Sequence, residues 1–287
     1  MKSLSMKKLF AMMMVLVLVL GCFAGCGGGE AEEETGGDDV ATETSLQDVL
    51  DKGVLTVAIS PDYAPYEYLD LMTGEIKGSD VVMAQYIADQ LGVELQINQM
   101  SFESCLAAAE LGTSDLAISS LSWSEDRAAV MELSSYYNMD TSIAQTILVK
   151  ADEVDNYKTA EDLAGKKIAA QNGTTQWNLT TSQIPDVEAQ PISLMNDGIL
   201  MLMEGKVDGM ACQTDVAQSF AANYDEVAVP DFLFDFEELG NVVATKKGNV
   251  SLNEKVSEII DQLEADGLYA EWIAEAIEDA DAQGLLE

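Results

Sequence analysis

The chain contains no histidine. That removes the commonest general base at neutral pH, the usual Ser–His and Cys–His nucleophile pairs, and the ordinary zinc ligand sets. An enzyme built on it would have to work with carboxylates alone. Basic residues are scarce as well. Only 14 Lys and Arg stand against 51 Asp and Glu, a formal charge of −37 over 287 residues. Such a surface opposes nucleic-acid phosphates and gives no electrostatic hold on anionic lipid. Cysteine is sparse, four in all, and two of these stand at Cys22 and Cys26. The other two, Cys105 and Cys212, lie far apart within apolar patterns and are expected as separate buried thiols rather than a bridge. Long apolar runs are also missing. The one from Leu9 to Leu20 is short for a permanent spanning helix.

That run follows Lys2, Lys7 and Lys8 and has the form of an export signal over residues 1–25. It ends in V-L-G-C at Cys22 and F-A-G-C at Cys26, both similar to the bacterial lipobox. Cys26 is the favoured lipidation site, with Ala-Gly before it and a tether after it; Phe23 departs from the usual Leu, which leaves Cys22 open. Residues 26–44 are glycine and acid with little to bury, a flexible linker. Cleavage after residue 25 removes three lysines and no acid, leaving a formal charge of about −40. Any hold on the membrane should therefore be the lipid itself.

The most informative stretch runs from Asp115 to Arg127, D-L-A-I-S-S-L-S-W-S-E-D-R. Leu116-Ala117-Ile118 reads as a buried strand, and Ser124-Glu125-Asp126-Arg127 as a capped helix start. Between them lie Ser119, Ser120 and Ser122. Open α/β sheets place ligands where a strand runs through such a turn into a helix. The serines offer hydrogen bonds and Arg127 a planar fork, which suits a small carboxylate. A polar turn with a surface arginine would look the same locally.

Around this stretch the pattern alternates. A short helix over 45–53 precedes a strand from Val54 to Ser60. In P-D-Y-A-P-Y-E-Y, two prolines are expected to prevent regular structure. A helix from Val81 to Leu91, a strand from Val93 to Ile97 and a helix from Glu103 to Leu111 follow, giving a parallel α/β plan. After Tyr136-Tyr137-Asn138 the alternation restarts. Strands are expected over Ile143 to Val149, Lys167 to Ala170 and Val207 to Cys212. Helices are expected over Ala160 to Leu163, from G-T-T, and over Ile199 to Met203, with terminal helices from Asn253 to Asp266 and Tyr269 to Ile277.

The ordered landmarks G-V-L-T-V-A, Y-A-P-Y-E-Y, K-G-S-D-V-V-M-A, I-A-D-Q-L-G, S-S-L-S-W-S-E-D-R and E-L-S-S-Y-Y resemble the amino-acid-binding family of bacterial extracellular solute-binding proteins. D-L-A-G-K-K-I-A-A-Q-N-G-T-T, G-K-V-D-G-M, K-K-G-N and E-A-D-G-L-Y-A-E-W continue the resemblance, which spans Ser45 to Trp272. It implies two α/β lobes of the type II periplasmic-binding-protein kind, joined by two crossover strands. Lobe 1 would cover 45–138 and 240–287, and lobe 2 would cover 139–239. It also implies an amino acid or close analogue as ligand, an ABC permease as partner, no cofactor, and a monomer on the outer face of the cell membrane. Arg127 would pair with the ligand carboxylate, helped by Ser119, Ser120, Ser122 and, from lobe 2, Gln171, Thr174 and Thr175. Tyr63 and Phe102 would sandwich the ligand, and Trp123 and Trp177 would add wall. Glu67 and Asp80 would shape the lobe rather than touch ligand.

Two departures stand out. Gln213 occupies the place where the family usually has an acid for the ligand ammonium. Gln213 itself, Asp215 or Asp62 could serve instead, or the ligand could differ from a plain α-amino acid. Ser60 stands where some members carry an acid that reads basic side chains, which tells against Lys, Arg or His as ligand. The rival readings are a ligand-sensing protein for a membrane receptor and a His-free enzyme on the same fold.

Overall fold

The computed structural model describes residues 43–70, 72–139, 143–237, 239–283 and 285. The expected signal peptide, Cys22, Cys26 and all but the end of the linker lie outside the described residues. In chain order, α1 (Ser45–Lys52) leads into β1 (Val54–Ile59), then three short strands, β2 (Asp62–Tyr63), β3 (Glu67–Leu69) and β4 (Ile76–Lys77). There follow α2 (Ser79–Leu91), β5 (Glu94–Gln99), α3 (Phe102–Leu111), β6 (Leu116–Ala117), α4 (Glu125–Val130) and β7 (Met131–Leu133). A second series holds β8 (Gln145–Lys150), two 3-10 turns at Ala151–Asn156 and Ala160–Leu163, β9 (Lys167–Gln171) and α5 (Thr175–Gln183). It continues with β10 (Glu188–Ile192), α6 (Met195–Met203), β11 (Gly209–Gln213), α7 (Thr214–Asn223) and β12 (Val227–Ala228). The chain ends with β13 (Ala244–Lys246), α8 (Val250–Ala265) and α9 (Leu268–Ala282).

The long strands build two five-stranded sheets, in the orders β5-β1-β6-β13-β7 and β10-β9-β11-β8-β12. In the first, β1 runs parallel to β5 and β6, while β13 is antiparallel to β6 and β7. In the second, β9 runs parallel to β10 and β11, while β8 is antiparallel to β11 and β12. Alternate residues feed the two faces of each sheet. Leu55, Val57 and Ile59 join a core with α2, α8 and α9, while Ala58 joins one with α3. Leu148, Met210 and Cys212 face one core of the second sheet, and Ile147, Val149 and Ala211 the other. Cys105 and Cys212 are buried free thiols in different cores, as their apolar surroundings indicate. Burial pushes the Cys105 thiol up to about 12.

The chain passes from β7 in the first sheet to β8 in the second, and returns from β12 to β13. The two passing segments lie side by side. Tyr137 and Asn241 exchange backbone hydrogen bonds at 2.9 and 2.8 Å. Gly240 makes this approach possible. Its φ is +119°, and a Cβ there would sit 2.9 Å from the Tyr137 carbonyl oxygen.

The structure departs from the sequence expectations in several places, and the helix expected over Ala160–Leu163 is a 3-10 turn. The stretch with two prolines is not irregular, because β2, β3 and β4 form a small antiparallel sheet. Pro61 precedes β2 and Pro65 lies in the turn before β3, so neither has to donate a ladder hydrogen bond. Helix α6 begins at Met195 rather than Ile199, with its first N–H bonded to the Asp62 carboxylate at 3.0 Å. Helix α7, which follows β11 without a break, was not anticipated.

Candidate functional site

The carboxyl ends of β1 and β6 in one sheet face those of β9 and β11 in the other. Between them lies a cavity. From the first sheet's side it is lined by Asp62, Tyr63, Glu67, Phe102, the turn residues Ser119, Ser120 and Ser122, and Arg127. From the second come Gln171, Thr174, Thr175, Gln176 and Gln213. Strand ends of this kind are where open α/β sheets hold ligands.

Arg127 is set by its own helix. Ser124 caps α4, its Oγ accepting from the Arg127 backbone N–H at 3.2 Å. The buried guanidinium lies 5.7 Å from the centre of the Phe102 ring, a cation–π contact. Nη1 donates to the Ser122 carbonyl, and Nη2 donates to the Gly173 carbonyl at 3.0 Å. One arginine thus touches both sides of the cleft. Opposite it stands the start of α5. The Thr174 side chain accepts from the Trp177 N–H at 3.1 Å and donates to the Gln171 carbonyl at 2.7 Å. A helix N-terminus beside a buried guanidinium suits an anion by two independent means.

Two carboxyl groups line the same cavity. Asp62 accepts from Ser60 Oγ at 2.8 Å, from Gln171 Nε2 at 2.8 Å and from the Met195 N–H. The last two donors belong to the second sheet's side, so Asp62 fastens the cleft and caps α6 across it. Burial raises its pKa, and these hydrogen bonds oppose the rise. Glu67 is fully buried; Oε1 accepts from Ser119 Oγ at 2.9 Å and Oε2 from Ser120 Oγ at 3.3 Å. Behind it, also buried, Asp80 accepts from the Ser120 N–H at 2.8 Å, Tyr137 Oη at 3.0 Å and Tyr269 Oη at 2.8 Å. The two carboxyls hydrogen-bond each other. Burial, then the charge of Asp80, holds Glu67 well above the usual carboxylate range.

Further contacts hold the cleft shut. Tyr66 Oη donates to Asp215 Oδ2 at 2.6 Å. The Gln213 N–H donates to Tyr63 Oη at 3.3 Å, and Asn172 Nδ2 to Glu103 Oε1 at 2.8 Å.

Ten of the sequence-designated residues, Tyr63, Phe102, Ser119, Ser120, Ser122, Arg127, Gln171, Thr174, Thr175 and Gln213, therefore line one cavity. Trp123 does not. It packs with Leu106 and Tyr136 against the core that holds Phe102 and Cys105. In extended backbone it points away from the face that Ser122 presents. Trp177 likewise packs in the core with Leu179 and Ile184. Asp215 lies outside the cavity and serves Tyr66. Ser60 does not leave its corner without an acid, because Asp62, two residues on, supplies one.

Sequence reasoning missed Glu67 and Gln176 as lining. Glu67 had a signal, an acid between Tyr66 and Tyr68, all three buried. Gln176 had none beyond following Thr175. Gly78 lets the two acids meet, since a Cβ there would collide with the Tyr66 carbonyl. The Asp80 N–H bonds that same carbonyl at 2.9 Å.

A profile of bacterial extracellular solute-binding proteins, family 3, matches residues 55–278, and the chain belongs to that family. Among its relatives, a probable histidine-binding protein of Campylobacter jejuni is 26% identical over 75% of this chain and 81% of its own. The L-cystine-binding protein TcyJ of Escherichia coli is 27% identical over 79% of this chain and 84% of its own. A crystal structure of the amino acid ABC transporter substrate-binding protein AbpA of Streptococcus pneumoniae, bound to L-arginine, aligns with a TM-score of 0.77. That protein is 32% identical, and the match covers 84% of this chain and 99% of the other.

Proposed function

We propose that this chain captures an α-amino acid in the cleft and delivers it to an ABC importer from the outer face of the membrane. The single observation that carries the reading is Arg127. A buried fork that reaches both sides of the cleft, opposite a helix N-terminus, is built for one carboxylate held by both lobes. Such a ligand favours the shut state because only there does it have all its partners. In this account residues 45–138 and 240–287 form one lobe and 139–239 the other. Tyr63 and Phe102 supply the apolar walls. The relatives named above support an amino acid as cargo.

A thermal-shift panel of the twenty common L-amino acids and L-cystine tests this. A ligand at 100 times its dissociation constant adds about 2.7 kcal/mol, which raises the melting temperature by roughly 5–10 °C for a chain of this size. A panel in which no compound shifts the transition overturns the reading. The anchor belongs to the same proposal, as a lipid on Cys26 after cleavage following residue 25. The mass of the membrane-extracted protein checks it; an unmodified Cys26 in the mature chain contradicts it.

A further inference from the structure

The cavity contains one cation, Arg127, and two acids, Asp62 and Glu67. The reading above gives Arg127 to the ligand carboxylate. A zwitterion brings an ammonium into the same closed space, and a buried ammonium needs a counter-ion. Gln213, where the family usually has an acid, brings no charge. Asp215 lies outside the lining and bonds Tyr66. Asp62 is committed to Ser60, Gln171 and the start of α6.

Glu67 is placed differently. Its hydroxyl partners, Ser119 and Ser120, belong to the same turn whose Ser122 carbonyl accepts from Arg127. The carboxylate and ammonium of an α-amino acid hang from one carbon. A carboxylate at Arg127 therefore sets the ammonium against this turn, on the side Glu67 occupies. Among the described residues, the partners of Glu67 and Asp80 are hydroxyls, a backbone N–H and each other's carboxyl. Two buried carboxyls in contact cannot both ionise without a cation, so the empty pair keeps a proton.

Resting on the reading that the cleft takes an α-amino acid, we infer that Glu67, backed by Asp80, is the counter-ion of the ligand ammonium and gives up its proton when the ligand binds. The ligand ammonium keeps its three hydrogens. The Glu67 carboxylic acid becomes a carboxylate beside it, and the displaced proton leaves to solvent. Binding therefore tightens as pH rises through the range where the empty pair is protonated and the filled pair is not. The other groups facing the pair do not supply this proton. Burial pushes Tyr66, Tyr137 and Tyr269 far above their usual range and Cys105 up to about 12. Arg127 stays charged throughout. Asp62, also raised, remains bonded to lobe 2 donors in the closed state.

Titration calorimetry at pH 7 tests the inference, using the amino acid with the largest shift in the panel above. Repeating it in phosphate and in Tris, whose ionisation enthalpies differ, counts the protons exchanged. The wild type is expected to release close to one proton per ligand. Its des-amino analogue, which keeps the carboxylate, is expected to release none. Glu67→Gln should bind the amino acid roughly 10- to 100-fold more weakly, the range for losing a charged hydrogen-bond partner, and release no proton. Without ligand the same variant should melt at or above the wild-type temperature. Its amide can keep the hydrogen bonds, and it removes a buried acid whose raised pKa makes the fold lose stability as pH rises. Asp80→Asn should abolish proton release too. Wild-type binding without proton release overturns the inference and leaves the amino-acid reading standing, as does unchanged affinity in Glu67→Gln. A panel in which no amino acid binds removes the reading itself.

Discussion

The two sheets follow one plan: three parallel strands, a fourth reversed, and a fifth reversed again. Their strand ends carry unlike chemistry into the shared cavity. The first sheet's side brings all three ionisable acid and base side chains of the lining, Asp62, Glu67 and Arg127. The second brings only Gln171, Thr174, Thr175, Gln176 and Gln213, together with the start of α5. The first wall is preassembled: Arg127 is held by the Ser122 carbonyl and the Phe102 ring, and Glu67 by two serines and Asp80. The second meets it through neutral donors, Gln171 and the Met195 N–H on Asp62 and the Gln213 N–H on Tyr63. A shared architecture thus divides the labour. In the proposed function, one lobe recognises charge, and the other covers the ligand with groups that shed water at less cost than ions do.

This division can be broken from either side, with unequal effects. On the charged wall, Arg127→Ala leaves a ligand carboxylate without its partner in a closed space, a loss of ~2–5 kcal/mol. Calorimetry should show affinity at least ~30-fold weaker. Arg127→Lys should restore little, because a point charge does not reproduce the fork. On the neutral wall, Gln213→Ala keeps the backbone N–H that bonds Tyr63 and removes the side-chain amide from the cavity lining; a neutral hydrogen bond from that amide to the ligand is worth ~0.5–1.5 kcal/mol, an affinity change of roughly two- to tenfold. If the Gln213 variant lost as much as the Arg127 variant, recognition would not be divided between the lobes.

How much of this was legible follows the range of the contacts. The Ser119–Arg127 stretch could be read because its parts are local: a buried strand, hydroxyls in the turn, and Ser124 capping the helix that carries Arg127. The G-T-T start of α5 was legible for the same reason, since Thr174 caps three residues ahead. The family resemblance then brought the two stretches to one cleft. What stayed hidden depends on contacts between distant segments. The helix start at Met195 is capped by Asp62, 133 positions away. Glu67 meets Asp80 only because Gly78 lets α2 begin against Tyr66. Trp123 was assigned to the cavity by its neighbours in sequence, whereas alternation in extended backbone sends it to the core.

The most direct test is a crystal structure of the protein with the amino acid that the melting panel selects. The ligand carboxylate should accept from the Arg127 guanidinium and from backbone N–H groups at the start of α5, and its ammonium nitrogen should lie within hydrogen-bonding distance of Glu67. A carboxylate bound away from Arg127, or an ammonium held by Gln213 with Glu67 untouched, would contradict the account.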